Sequence, residues 1–221
     1  MISGESRRFG VSGKLWNGVL VMYDAESDSL WTQIDGRAIQ GSAIGTRLEH
    51  VDSVFTTWAH WVDMHPDTEV LARDPEAEPV AASHYEEYLE DPERLFFPEL
   101  AEGLGGIAPK DLVFGVTVAG EAWAVSESVL AHDGIVQAEV GGEWVTVVYD
   151  RERMATRAFT SAPGERAALL QAIPGVSPYR QVMDVATGEV RSPADMTSLR
   201  LDRAYWYAWS RSHLGSRILA D

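Results

Sequence analysis

Asp24, Glu26, Asp28, Leu30 and Asp35 fall at positions 1, 3, 5, 7 and 12 of a calcium-loop template, the spacing that surrounds a hard cation with oxygen. The template fails where a cation needs it. Ser29 stands in place of the sharp-turn glycine, Asp35 replaces the bidentate glutamate, and a strand-forming run precedes the loop. A solvated hairpin turn is expected there instead. His60 and His65 are separated by about 140° around a helix, so they do not form an i, i+4 metal pair. His65 and His213 read as helix ends. Gly10-Val11-Ser12-Gly13-Lys14 lacks the last glycine of a nucleophile elbow, and Gly103-Leu104-Gly105-Gly106 has no Lys-Ser/Thr after it to hold phosphate. With zero cysteines, disulfides, thiolate nucleophiles and Cys-ligated zinc or iron–sulfur clusters are excluded from this chain. No catalytic residue, metal ligand or cofactor is expected. Asn17, Asp24, Trp31, Gln33 and Arg37 remain as candidates for a small-molecule surface, because they sit on successive turns and strands; turn chemistry accounts for Asn17 and Asp24 equally well.

These residues need a scaffold, and the composition supplies one. The chain has 221 residues, of which 45% are hydrophobic, enough for a real core. Thirty-four acidic residues against 18 basic ones give a net charge of −16, a field that repels phosphate backbones and anionic lipid. Nucleic acid and membrane are not expected partners. Lys14 and Lys110 are the only lysines and the acids are dispersed, which fits a salt-adapted, halophilic surface. No apolar run is long enough to span a bilayer, and none follows the two arginines of the N-terminus as a signal peptide requires, so a cytoplasmic location is the default expectation.

Short apolar runs punctuated by glycine, asparagine and aspartate predict a mainly β, α+β fold. Residues 9–15 and 18–23 flank Asn17-Gly18 as a hairpin, and 30–34 continue a meander that ends in a short strand over 47–51. A helix is expected over 55–64, capped by Asp52 or Ser53, followed by a strand at 69–72 and one or two helical turns over 84–90. Further along, hairpins are expected over 112–118/121–125 and 135–140/144–149, with a short helix over 126–130. Strands follow at 155–160 and 179–183, helices at 164–173 and 202–213, and a last strand at 217–219. Antiparallel pairing should dominate.

Trp58-Ala59-His60-Trp61 aligns with Trp206-Tyr207-Ala208-Trp209, and at the same offset His65 falls on His213. Two related halves are therefore expected, each of short antiparallel strands closed by a Trp-x-x-Trp helix that buries Trp58 and Trp61 or Trp206 and Trp209 in equivalent settings. Residues 1–74 form the first unit, 75–109 an acidic, Pro- and Gly-punctuated linker, and 110–221 the second.

Phe9-Gly10-Val11-Ser12-Gly13, Val21-Met22-Tyr23-Asp24, Gly36-Arg37-Ala38-Ile39, Val147-Val148-Tyr149-Asp150 and the closing Trp206-Tyr207-Ala208-Trp209 resemble the family of the domain of unknown function 3179. The resemblance covers nearly the whole chain. It implies an earlier unit ending in a Cys-Pro-x-Cys-type segment, which has no counterpart here. Three functions are consistent with these features: a non-catalytic binding or scaffold module, part of an enzyme whose cysteine-containing unit lies upstream, or a small-ligand or ion sensor on the surface from Asp24 to Arg37. The strand that opens at Phe9 is expected to be an unpaired edge with exposed apolar surface, suited to an upstream unit or to self-association unless the first eight residues cover it.

Overall fold

The computed structural model describes residues 6–51, 53–72, 74, 85–160 and 169–219. β1 (Phe9–Trp16), β2 (Val19–Asp24), β3 (Leu30–Thr32) and β4 (Ala38–Gln40) form a four-stranded antiparallel sheet in that order. Asn17 and Gly18 turn the first hairpin at φ 52° and 74°, the left-handed geometry that matches strand twist. This turn lies so close to the end of the chain that a Cβ on Gly18 would meet the Tyr207 ring at 2.4 Å. The Asn17 amide donates to the Arg211 carbonyl at 2.9 Å. β1 is an edge strand, and Val11, Leu15 and Trp16 are exposed on it. Residues 1–5, part of the expected cover, lie outside the described residues.

The strand expected over 47–51 is reduced to a single bridge between Arg37 and Arg47. α1 (Trp58–Met64) starts later than its sequence suggests, with Thr57 as N-cap. Asp52 lies outside the described residues. The Thr57 amide and the Thr56 hydroxyl both donate to the Arg153 carbonyl, which holds the chain extended up to the cap. Residues 69–72 form no strand. α2 (Glu86–Glu90) follows the segment 75–84, which lies outside the described residues, as does the expected helical position His84.

β5 (Leu112–Val118), β6 (Glu121–Ser126), α3 (Glu127–Asp133), β7 (Ile135–Val140), β8 (Glu143–Asp150) and β9 (Ala155–Thr160) enclose the largest core, where Val116, Trp123, Leu130, Val145 and Val147 are buried together. β10 (Leu170–Ala172), β11 (Val182–Asp184) and β12 (Val190–Arg191) form a small sheet. The helix expected over 164–173 is overturned at its described end, since Leu170–Ala172 pairs with β11 and the Leu170 amide donates to Gln137 Oε1. The alanine- and leucine-rich run favours helix locally, and strand pairing overrides that preference. β13 (Thr197–Leu199) extends β9, and β14 (Asp202–Tyr205) pairs with β5, so only α4 (Trp206–Ser212) remains of the helix expected over 202–213. β15 (Arg217–Leu219) runs parallel to β6, an exception to the antiparallel expectation.

The two tryptophan helices end alike. Trp61 Nε1 donates to Thr68 Oγ1 at 2.9 Å, and Trp209 Nε1 to Ser216 Oγ at 2.7 Å. His65 and His213 occupy the C-cap positions; His213 stacks on Trp209, and His65 lies against Trp61 with the rings tilted by 40°. The expected equal burial is corrected, however: Trp206 and Trp209 are buried, Trp61 is half-buried and Trp58 is 58% exposed. α4 lies on β5, where Gly115 leaves room for the Trp209 ring; Met64 of α1, with Val54 from the segment before it, packs against the cluster of Phe159 and Tyr179, and α1 buries His60 instead.

Three hairpins share one turn. Asp24, Asp150 and Asp184 each end a strand and accept the amide three residues on, from Ser27, Arg153 and Thr187. The residue four on, Asp28, Met154 or Gly188, is left-handed in each. Aspartate and glycine tolerate that geometry, but a methionine side chain is strained by it. Met154→Gly is expected to raise stability by about 0.5–1 kcal/mol. An unchanged or lower urea midpoint would contradict a strained turn.

Candidate functional site

Three elements from distant parts of the chain meet around one polar cleft of about 420 Å³. The β3–β4 turn brings Asp35 and Arg37, the end of β13 and start of β14 bring Arg200 and Asp202, and the end of α4 brings Ser212 and His213. Arg47 and the β5–β6 hairpin, through Thr117, Gly120 and Ala122, complete the wall. Three arginines thus face two aspartates in a chain whose overall charge is −16.

The internal pairs show which groups are engaged. His213 Nε2 lies 3.1 Å from Asp35 Oδ1, and its Nδ1 lies 3.2 Å from the Trp209 carbonyl. Burial alone would raise the Asp35 carboxyl, but the His213 hydrogen bond and charge, with Arg47 and Arg37 beside it, hold it below its usual value. Arg200 is paired with Asp202 at 2.9 Å. There burial prevails over Arg200, and the Asp202 carboxyl is raised. Among the described residues the Arg47 guanidinium donates to the Asp35 carbonyl alone, at 3.5 Å. The Arg37 guanidinium donates no hydrogen bond among the described residues; its backbone amide and carbonyl are both bonded to Thr32. Its donors are open to the cleft.

A second pocket, of about 500 Å³, adjoins the first through Asp202. Tyr85, Tyr88, Phe96, Tyr205 and Tyr207 line it, together with Gln33. Tyr88 stacks on Phe96 with centroids 4.5 Å apart, and its hydroxyl lies 3.2 Å from that of Tyr207. Burial and that bond push the Tyr88 phenol up, and burial, with Tyr88 next to it, does the same for Tyr205. The Lys110 ammonium sits 3.9 Å from the Tyr88 ring centroid.

The five sequence candidates therefore separate. Asp24 and Trp31 are fully buried and bonded to each other at 2.9 Å, so they hold a turn to the core. Asn17 fastens the first hairpin to α4. Gln33 is exposed at the aromatic pocket and Arg37 lines the polar cleft. Sequence reasoning missed Asp35, Arg47, Arg200, Asp202 and His213 as a group, because their proximity exists only after distant segments pack. The one available signal was the scarcity of cations in so acidic a chain.

Two other depressions are less suited to a ligand. A broad hollow near the end of α3 is lined by Asp150, Arg153 and Ser177, but Asp150 already accepts from both of the others. Near α1, His60 is 4% exposed and neither ring nitrogen has a partner among the described residues; burial, reinforced by Arg153, holds it below its usual pKa and so neutral. Among the described residues no group of three or more His, Asp or Glu side chains is arranged to hold a metal ion, and no helix is long and apolar enough to cross a membrane. No curated protein and no solved structure matches the chain. Residues 1–215 match the family model described as "Protein of unknown function (DUF3179)". Over almost its full length, then, from the first hairpin through the tryptophan helix that walls the cleft, the chain belongs to this family.

Proposed function

We propose that this chain is a non-catalytic binding module that holds a small anion in the cleft between the β3–β4 turn and α4. The observation that carries the reading is the Arg37 guanidinium, unpaired among the described residues and backed by a weakly engaged Arg47, in a cleft where cations outnumber carboxylates. Charge-assisted hydrogen bonds from guanidinium are directional and suit carboxylate or a similar oxyanion. The site is poorly arranged for acid–base work. In a base held by a carboxylate, one imidazole nitrogen must face the substrate, but both nitrogens of His213 face oxygen atoms of the protein. We infer that the chain is two copies of one plan, in which the similar helix ends and aspartate turns reflect a common ancestor and the cleft forms where one copy packs on the other.

Calorimetric titration of the 221-residue chain with acetate and with sulfate, in chloride-free buffer, tests the reading. Saturable binding is expected, weakened about tenfold or more by Arg37→Ala. Absence of saturable heat with both anions, or equal binding by Arg37→Ala and the parent chain, would refute it.

A further inference from the structure

We infer that the ligand of this site is an aromatic ring carrying an anionic group on a short arm, with the ring in the aromatic pocket and the anion on Arg37; this rests on the anion-binding reading above. Three elements each run from one pocket into the other. The β3–β4 turn places Gln33 at the aromatic pocket and Asp35 and Arg37 at the polar cleft. The strand region places Arg200 at the cleft, Asp202 at both and Tyr205 at the aromatic pocket. α4 places Tyr207 and Ala208 at the aromatic pocket and Ser212 at the cleft. The two pockets are therefore neighbours along one seam, not separate sites.

The chemistry of the occupant follows from the walls. Tyr205 and Tyr207 lie nearly parallel at 18°, and Tyr88 and Phe96 at 8°, so flat aromatic faces line the pocket beside the aliphatic Leu15, Val19, Leu20 and Ile34. The paired Tyr88 and Tyr207 hydroxyls add a polar point at its wall. The step from Ala208 to Ser212 is one helical turn, a rise of about 6 Å. A ring centre and a carboxylate joined by one or two carbons span a comparable distance, whereas a benzoate is shorter and a long-chain acid has no aromatic partner for these walls.

The test compares acetate, phenylacetate, 3-phenylpropionate and benzyl alcohol on the full chain by calorimetric titration, with Phe96→Ala as the variant that opens the ring pocket at its exposed side. Phenylacetate or 3-phenylpropionate is expected to bind at least about tenfold more tightly than acetate, and Phe96→Ala should shrink that ratio while the chain remains folded by circular dichroism. Acetate binding with no gain from the ring overturns this inference and leaves the anion reading standing. Benzyl alcohol binding as tightly as phenylacetate also overturns it, because the ring would then sit without the anion. No binding by any of the three acids overturns this inference, and the anion reading falls with it if sulfate also gives no saturable heat.

Discussion

Trp209→Ala is expected to destabilise the chain by about 3–5 kcal/mol, the range for truncating a fully buried aromatic side chain. Trp209 is completely buried, and its ring fills space that a Cβ on Gly115 would enter at 2.5 Å. Its indole donates to Ser216 and its face stacks on His213 at a centroid distance of 3.8 Å. The substitution therefore opens a cavity over β5, orphans the Ser216 contact and releases the histidine that pairs with Asp35. Trp58→Ala, at the first tryptophan of α1, is expected to cost less than about 1 kcal/mol, because most of that ring is already in water. Urea unfolding of both variants checks the contrast. Equal losses would show that the two helices are supported alike and that the difference in burial has no energetic weight.

Asp24→Ala should cost about 3 kcal/mol, since it strands buried donors rather than merely deleting a contact. Asp24 accepts from the Ser27 amide at 2.7 Å, the Ser27 hydroxyl at 2.6 Å and the buried Trp31 indole at 2.9 Å. Burial alone would raise its carboxyl, but these bonds and the nearby Arg7 guanidinium more than offset it, so the folded value lies below the unfolded one. A depressed carboxylate contributes stability that is present above the unfolded value and is lost as pH falls through the folded value. The parent chain should therefore lose stability between about pH 5 and pH 3, and Asp24→Asn should lose less over the same interval. Asp150 and Asp184 act in the same direction. Burial opposes charge at Asp150 but Ser177 and Arg153 prevail, and backbone amides led by that of Thr187 lower Asp184. Identical acid profiles for Asp24→Asn and the parent chain would mean that the carboxylate is not charged in its turn.

The legible parts of the sequence were those governed by neighbours in the chain. Asn17-Gly18, Ala119-Gly120 and Gly141-Gly142 announced their hairpins because left-handed geometry restricts the residues that can form them, and all these positions have positive φ. The histidines at helix ends were legible for a similar reason. What was not legible depended on partners far away. Residues 202–205 carry apolar and polar residues that suit a helix, and only β5, ninety residues earlier by position, makes them a strand. Trp58 looked like Trp206 because local spacing does not say whether a sheet lies beneath a helix. Of the candidate site, the sequence offered Gln33 and Arg37 from one turn; their companions came from segments that no local pattern connects.

The Asn17 amide and the Arg211 carbonyl join residues 194 positions apart, and Arg211 also reaches the Leu100 carbonyl at 2.8 Å. Such a contact has a kinetic meaning. Hairpins close within microseconds over short loops, but a contact this distant carries a large closure entropy and forms once the intervening chain is ordered. The seating of the first turn against α4 is therefore expected late in folding, with the cleft beside it completed only then. A ligand bound there would be expected to slow unfolding and leave the refolding rate nearly unchanged, which stopped-flow unfolding and refolding with and without phenylacetate would check.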